Sequence, residues 1–152
     1  MFEKIEGNER IKENLKKSLE QNKTSHSYLF IGVEGIGKKL IAKDFAKSIL
    51  CIENKENCNT CKSCIEFNTN NNPDFMIISP DGNSIKIEQI RDLQKSIQEK
   101  PIISSKKVYI IDDADKMTSE AQNCLLKTLE EPPEYATIVL ILSNETSFLS
   151  KI

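Results

Sequence analysis

At 152 residues, 38% of them hydrophobic, the chain is sized for one compact domain with a substantial core, and a two-domain arrangement is not expected. A formal net charge of −2 gives no global field that would draw it to nucleic acid or to an anionic membrane surface. No stretch approaches the roughly 18 apolar residues of a membrane span, and MFEKIEGNER has no signal-like core, so a soluble cytoplasmic protein is expected.

In chain order, Ile11, Leu15 and Leu19 recur every four residues among charges and predict an amphipathic surface helix. Tyr28 to Ile31 is a short aromatic and β-branched run ended by Gly32, which reads as a buried strand. Leu40, Ile41, Phe45 and Ile49 follow as one face of a second helix. A strand is predicted at Phe75 to Ile78. Ile87, Ile90, Leu93 and Ile97 mark a helix stopped before Pro101, and Val108 to Ile111 is the next strand. The helix after it has Ser119 as N-cap, Gln122 at capping-box spacing, and Ala121, Cys124, Leu125 and Leu129 on its apolar face. Pro132 and Pro133 end it, and Ile138 to Leu142 is a fourth strand. Strands alternating with helices predict an α/β domain whose parallel sheet is covered on both faces. The sequence stops at Ile152 inside another amphipathic stretch, which suggests the first domain of a longer protein.

Between the first strand and the second helix lies GVEGIGKK, Gly32 to Lys39. A phosphate-binding loop needs glycines whose amides close around phosphate oxygens, a lysine for the β and γ phosphates, and a Ser or Thr hydroxyl for magnesium. Gly32, Gly35, Gly37 and Lys38 satisfy the pattern; Lys39 replaces the hydroxyl, and an ammonium cannot ligate a cation. In nucleotide-hydrolysing members of this class an apolar strand ends in a carboxylate for magnesium followed by a water-activating glutamate. VYIIDDAD offers Asp112 for the first role and Asp113, one methylene too short, for the second. Slow or absent hydrolysis is the expected consequence, because in-line attack depends on sub-ångström placement.

Cys51, Cys58, Cys61 and Cys64 have six, two and two residues between them, within a polar stretch. Two-residue gaps let successive thiolates reach one tetrahedral zinc, and four thiolates leave no open position, so a structural zinc module is expected at 51–64. Cys124 falls on a helix face and reads as core packing.

The strings SHSYLFIGVEGIGKK, VYIIDDADKMT and NCLLKTLEEPP, with the four-cysteine insert directly after the loop helix, resemble the bacterial clamp-loader ATPases of DNA polymerase III, an AAA+ group. The resemblance spans Phe2 to Ile152. It implies a P-loop AAA+ core with a five-stranded parallel sheet, a zinc insert, lid and collar domains beyond residue 152, and a γ-phosphate-sensing position at Ser143 or Asn144. Lys39 and Asp113 match the delta-prime branch, whose nucleotide sites are decayed and which acts as a stator, better than the gamma/tau motor branch. That branch implies weak or absent ATP binding and gamma/tau and delta subunits as partners. It also implies contact with the sliding clamp and, through the complex, with primer-template DNA. Lys127, on the helix leading to LEEPP, falls where such subunits meet and would approach a neighbour's phosphates there; a solvated helix lysine is the equal alternative. An ATP-hydrolysing gamma/tau-type motor is the alternative. A zinc-bearing nucleotide kinase is a more distant one, since phosphate clamping there uses several arginines and this chain has only Arg10 and Arg91. Independent nucleic-acid binding by the cysteine loop has weak support, because its lysines are interspersed with Glu53, Glu56 and Glu66.

Overall fold

A computed structural model describes residues 9–20, 26–31, 37–53 and 58–143. The elements run α1 (Glu9–Glu20), β1 (Ser27–Ile31), α2 (Lys38–Leu50), α3 (Lys62–Asn68), β2 (Phe75–Ile78), α4 (Ile87–Ile97), β3 (Lys107–Ile111), a 3-10 turn (Ala114–Lys116), α5 (Ser119–Glu130) and β4 (Ala136–Leu142). The sheet is wholly parallel, in the order β1-β4-β3-β2. Five strands were expected and the described residues form four. The four apolar runs all join one sheet, each paired with its neighbour, and the fifth strand had no run of its own, only the count implied by the resemblance.

Alternation along the central strands divides the core into two layers. On β3, Tyr109 and Ile111 join Ile138, Leu140 and Leu142 of β4 against Ile90, Leu93 and Ile97 of α4 and Ala121 and Leu125 of α5. Val108 and Ile110 face the other way, with Val139 and Ile141, onto Leu15 of α1 and Ile41, Phe45 and Ile49 of α2. Every residue of β3 and β4 is buried, as strands covered on both faces require. The α1 expectation holds at Leu15 and at the partly buried Leu19; the side chain of Ile11 lies outside the described residues.

Three local readings change. β1 is not a buried strand: it sits at the edge of the described sheet with β4 as its neighbour, so Tyr28 and Phe30 pack inward while Leu29 and Ile31 are 41% and 42% exposed. Tyr28 meets Phe45 edge to face, with ring centroids 5.0 Å apart. Leu40 is exposed, because the buried stripe of α2 is Ile41, Phe45 and Ile49 with Ala42, Ala46 and Leu50, and Leu40 lies about 80° or more from every member. The cap of α5 is Thr118, not Ser119: its hydroxyl accepts from the Ala121 amide at 3.1 Å, and Gln122 bonds the Met117 carbonyl instead of closing a capping box. Thr118→Ala is expected to cost about 1 kcal/mol by urea denaturation, against little change for Ser119→Ala. Cys124 packs against the α4 side of the core as expected, and its thiol donates to Gln94 Oε1.

Candidate functional site

Parallel sheets of this kind place ligands at the carboxyl ends of their strands. There the structure assembles the carboxyl ends of β3 and β4 and the first turn of α2. Gly37 caps α2 in the left-handed region, with φ 81°, a conformation that favours glycine. Gly32, Gly35 and Asn144 lie outside the described residues. From the first turn of α2, Lys38 Nζ donates to the Leu142 carbonyl at the end of β4, at 2.9 Å. Lys39 Nζ lies 3.5 Å from Asp112 Oδ2, just past the end of β3.

The two carboxylates expected here therefore face cations of the chain itself. Asp112 is anchored by its amide, which donates to the Ile78 carbonyl, and its Oδ1 accepts from the Asp113 amide. Asp113 is left-handed, with φ 51°, an uncommon and strained conformation for a non-glycine residue. Its carboxylate pairs with Lys116 at 3.8 Å, within the same turn. Ser143 donates its hydroxyl to Asp115 Oδ2 at 2.9 Å; Asp115 Oδ1 is buried with no hydrogen-bond partner among the described residues. Magnesium demands an octahedron of oxygens at about 2.0–2.1 Å. With an ammonium beside Asp112 and no hydroxyl at residue 39, this site does not fit that ion. Sequence motifs named these residues singly, but the direct Lys39–Asp112 and Ser143–Asp115 contacts join positions too far apart in the chain for any spacing rule.

The cysteines come together as expected. The Sγ atoms of Cys51, Cys58, Cys61 and Cys64 all lie within 4.8 Å of one another, with Cys51–Cys61 at 4.0 Å and Cys58–Cys64 at 3.9 Å. A zinc with Zn–S bonds of about 2.3 Å in tetrahedral geometry places its sulfurs about 3.8 Å apart, so the donor set fits zinc. Cys51 follows the last turn of α2, Cys61 caps α3, and the turn between Cys58 and Cys61 uses a left-handed Asn59. Backbone amides already point at sulfur: Cys61 N donates to Cys58 Sγ at 3.3 Å and Cys64 N to Cys61 Sγ at 3.4 Å. Hydrogen bonds from the Thr60 amide and hydroxyl hold the Cys58 thiol down to about 6, favouring thiolate, whereas burial pushes Cys64 up to about 12. Lys47 of α2 bonds Asn59 Oδ1, and buried Asn72 donates to the carbonyl and hydroxyl of Ser63, both at 3.0 Å. The module is thus tied to the helix before it and to the strand after it.

A wholly parallel α/β sheet in the order β1-β4-β3-β2, with a phosphate-loop sequence between β1 and α2, places the domain in the P-loop fold class. Family comparison narrows this: the profile described as DNA polymerase III, delta subunit, matches residues 7–152, and the chain belongs to that family. It is 42% identical over 144 residues to the DNA polymerase III subunit delta' of Bacillus subtilis, covering 94% of this chain and 44% of that protein. It is 39% identical over 141 residues to the tau subunit of the same organism, covering 91% of this chain and 25% of that one. Among solved structures, a gamma subunit-related protein of DNA polymerase III from Thermotoga maritima superposes with a TM-score of 0.59 at 25% identity, covering 92% of this chain and 43% of that chain. The chain thus spans less than half the length of these relatives. Among the described residues no helix is long and apolar enough to cross a membrane.

Proposed function

We propose that this chain is the N-terminal domain of a delta-prime clamp-loader subunit, a stator that helps place the sliding clamp on primer-template DNA and does not itself hydrolyse ATP. The observation that carries this reading is the Lys39–Asp112 ion pair: an ammonium stands 3.5 Å from the carboxylate that a motor subunit would use toward magnesium. The strained Asp113, turned to Lys116, supports it, since the position of the water-activating base is engaged within its own turn. Zinc held by Cys51, Cys58, Cys61 and Cys64 is structural in this reading: four thiolates leave it no catalytic position. Partners are the gamma/tau and delta subunits, and the exposed Lys127 of α5 is a candidate contact with a neighbouring subunit.

A gamma/tau-type motor is the second reading, favoured by the comparable identity to a tau subunit. The two diverge in one experiment. The full-length protein, mixed with gamma/tau and delta, is expected to co-purify as a complex, and alone to hydrolyse magnesium-ATP no faster than its Lys38→Ala variant. Turnover of the isolated protein that Lys38→Ala abolishes would establish the motor reading, and failure to assemble would remove both.

A further inference from the structure

The four clustered cysteines are unequal in access. Cys51, Cys61 and Cys64 are buried, Cys64 fully so, whereas Cys58 is partly exposed at the turn that leads into α3. Solvent therefore meets the cluster mainly through one sulfur. Behind it the Cys64 sulfur lies 3.9 Å away, while the other two, Cys51 and Cys61, lie 4.0 Å from each other. The Cys61 amide donates to Cys58 Sγ at 3.3 Å and fixes the exposed sulfur beside its buried neighbours. A zinc ligand is a thiolate, the oxidisable form of cysteine, and oxidation favours a thiolate that solvent reaches and that has a second sulfur close enough to resolve it. Cys58 and Cys64 meet both conditions.

We propose that Cys58 is an oxidative modification site: a hydroperoxide attacks the module there, Cys64 resolves the product as a Cys58–Cys64 disulfide, and the module gives up its zinc. The inference rests on the structural-zinc reading above and deepens it by assigning the four ligands different roles. In the first step the Cys58 thiolate forms an S–O bond with one peroxide oxygen, the O–O bond breaks, and hydroxide leaves. In the second, the Cys64 thiolate attacks the sulfur of that sulfenic acid, an S–S bond forms, and a second hydroxide leaves. The two sulfurs surrender two electrons, the peroxide takes them, and both hydroxides collect protons from solvent as water. Cys51 and Cys61 then remain as the only thiolates, half of a tetrahedral donor set. Because the core of the module is the cysteines themselves, the change loosens α3 and leaves the sheet intact. A dithiol reductant reverses it by thiol–disulfide exchange, its own two thiols being oxidised in turn.

The test treats zinc-loaded, full-length protein with hydrogen peroxide, follows released zinc with a chromogenic chelator, and maps disulfides by mass spectrometry of alkylated, non-reduced peptides. Wild type is expected to release its zinc with one peroxide consumed and two thiols lost per ion, to yield a peptide pair joined through Cys58 and Cys64, and to recover its metal on treatment with dithiothreitol and zinc. Cys58→His keeps a side chain that zinc accepts but has no sulfur to oxidise, so it is expected to purify with metal and to release it about tenfold more slowly. Cys124→Ser is expected to behave as wild type, since its thiol lies in the α4–α5 layer of the core. Retention of zinc by peroxide-treated wild type, a disulfide that omits Cys58 or joins it to another cysteine, or equal release rates from wild type and metal-loaded Cys58→His would each overturn the proposal. The mapping on wild type decides the matter even if Cys58→His fails to fold. Protein that carries no zinc when purified reduced would remove the zinc reading and this inference together, whereas zinc-loaded protein that resists peroxide removes this inference alone.

Discussion

Replacing Asp74 by alanine is expected to lower the stability of the domain by about 3–5 kcal/mol, the cost of leaving several buried amide donors without an acceptor. Asp74 immediately precedes β2 and is 1% exposed. Its carboxylate accepts from three successive backbone amides: Ile102 at 2.7 Å onto Oδ1, and Ile103 at 2.8 Å and Ser104 at 2.7 Å onto Oδ2. A buried carboxylate with only neutral neighbours would be costly, but three amide donors in the segment between α4 and β3 satisfy it, and it in turn fixes that segment. The Asp74 carbonyl also accepts from Val108 at 2.9 Å, at the start of the β2–β3 ladder. Alanine leaves all three amides without their acceptor, each costing about 1–3 kcal/mol where water cannot replace it. Asparagine retains one acceptor oxygen and turns an NH2 toward at least one amide, so Asp74→Asn is expected to lose about half as much. Guanidinium denaturation of wild type and both variants decides it. A loss below about 1 kcal/mol for alanine would mean that the segment re-forms with water. Because domains have only about 5–15 kcal/mol of stability, the expected loss is a large share of the total.

Nothing in the sequence marked Asp74. It stands between Pro73 and the run Phe75 to Ile78, where an aspartate reads as a solvated turn, and its partners lie in an unpatterned loop. The same holds for Lys107, a lysine at a strand start that is 4% exposed because its ammonium donates to the carbonyls of Ser96 and Glu99 at the end of α4. Buried polar anchors of this kind obey no periodicity, so they appear only once the chain is folded. What was legible followed from repetition or from chemistry at short range. The four strands and the helices α2, α4 and α5 were carried by apolar period, and the cysteine cluster by spacing that a tetrahedral ion dictates. The edge position of β1 was not legible, since burial of a strand depends on neighbours contributed from elsewhere in the chain. At the phosphate loop the sequence revealed that a hydroxyl was replaced by a lysine. It could not reveal that this lysine would meet Asp112, because the two positions lie on different elements far apart in the chain.

Removing the metal from the cysteine cluster is expected to have the other large effect. Freshly purified, reduced protein is expected to carry about one zinc per chain, and Cys64→Ser to carry close to none. Cys64 is fully buried, so serine there loses a thiolate ligand and leaves a hydroxyl among sulfurs. The module has little else to hold it: its own core cluster consists of the cysteines themselves, with Cys51, Cys61 and Cys64 buried and Cys58 packed against them. Without the ion, α3 depends on its cap at Cys61, on Phe67 packed at a tilt against Phe75 with centroids 4.5 Å apart, and on the Asn72–Ser63 bonds. A loss of about 3–5 kcal/mol, or roughly 10 °C in melting temperature, is expected from Cys64→Ser or from exhaustive chelation. Zinc binding must also displace the proton that burial holds on Cys64, and below about pH 6 Cys58 carries one as well, so chelators are expected to compete more effectively as pH falls. Cys124→Ser is the internal control, because its thiol bonds Gln94 on the opposite side of the sheet and should leave zinc content unchanged. Protein that is stable and metal-free when purified under reducing conditions would refute the zinc assignment, since four thiols this close have no comparable means of holding the module together.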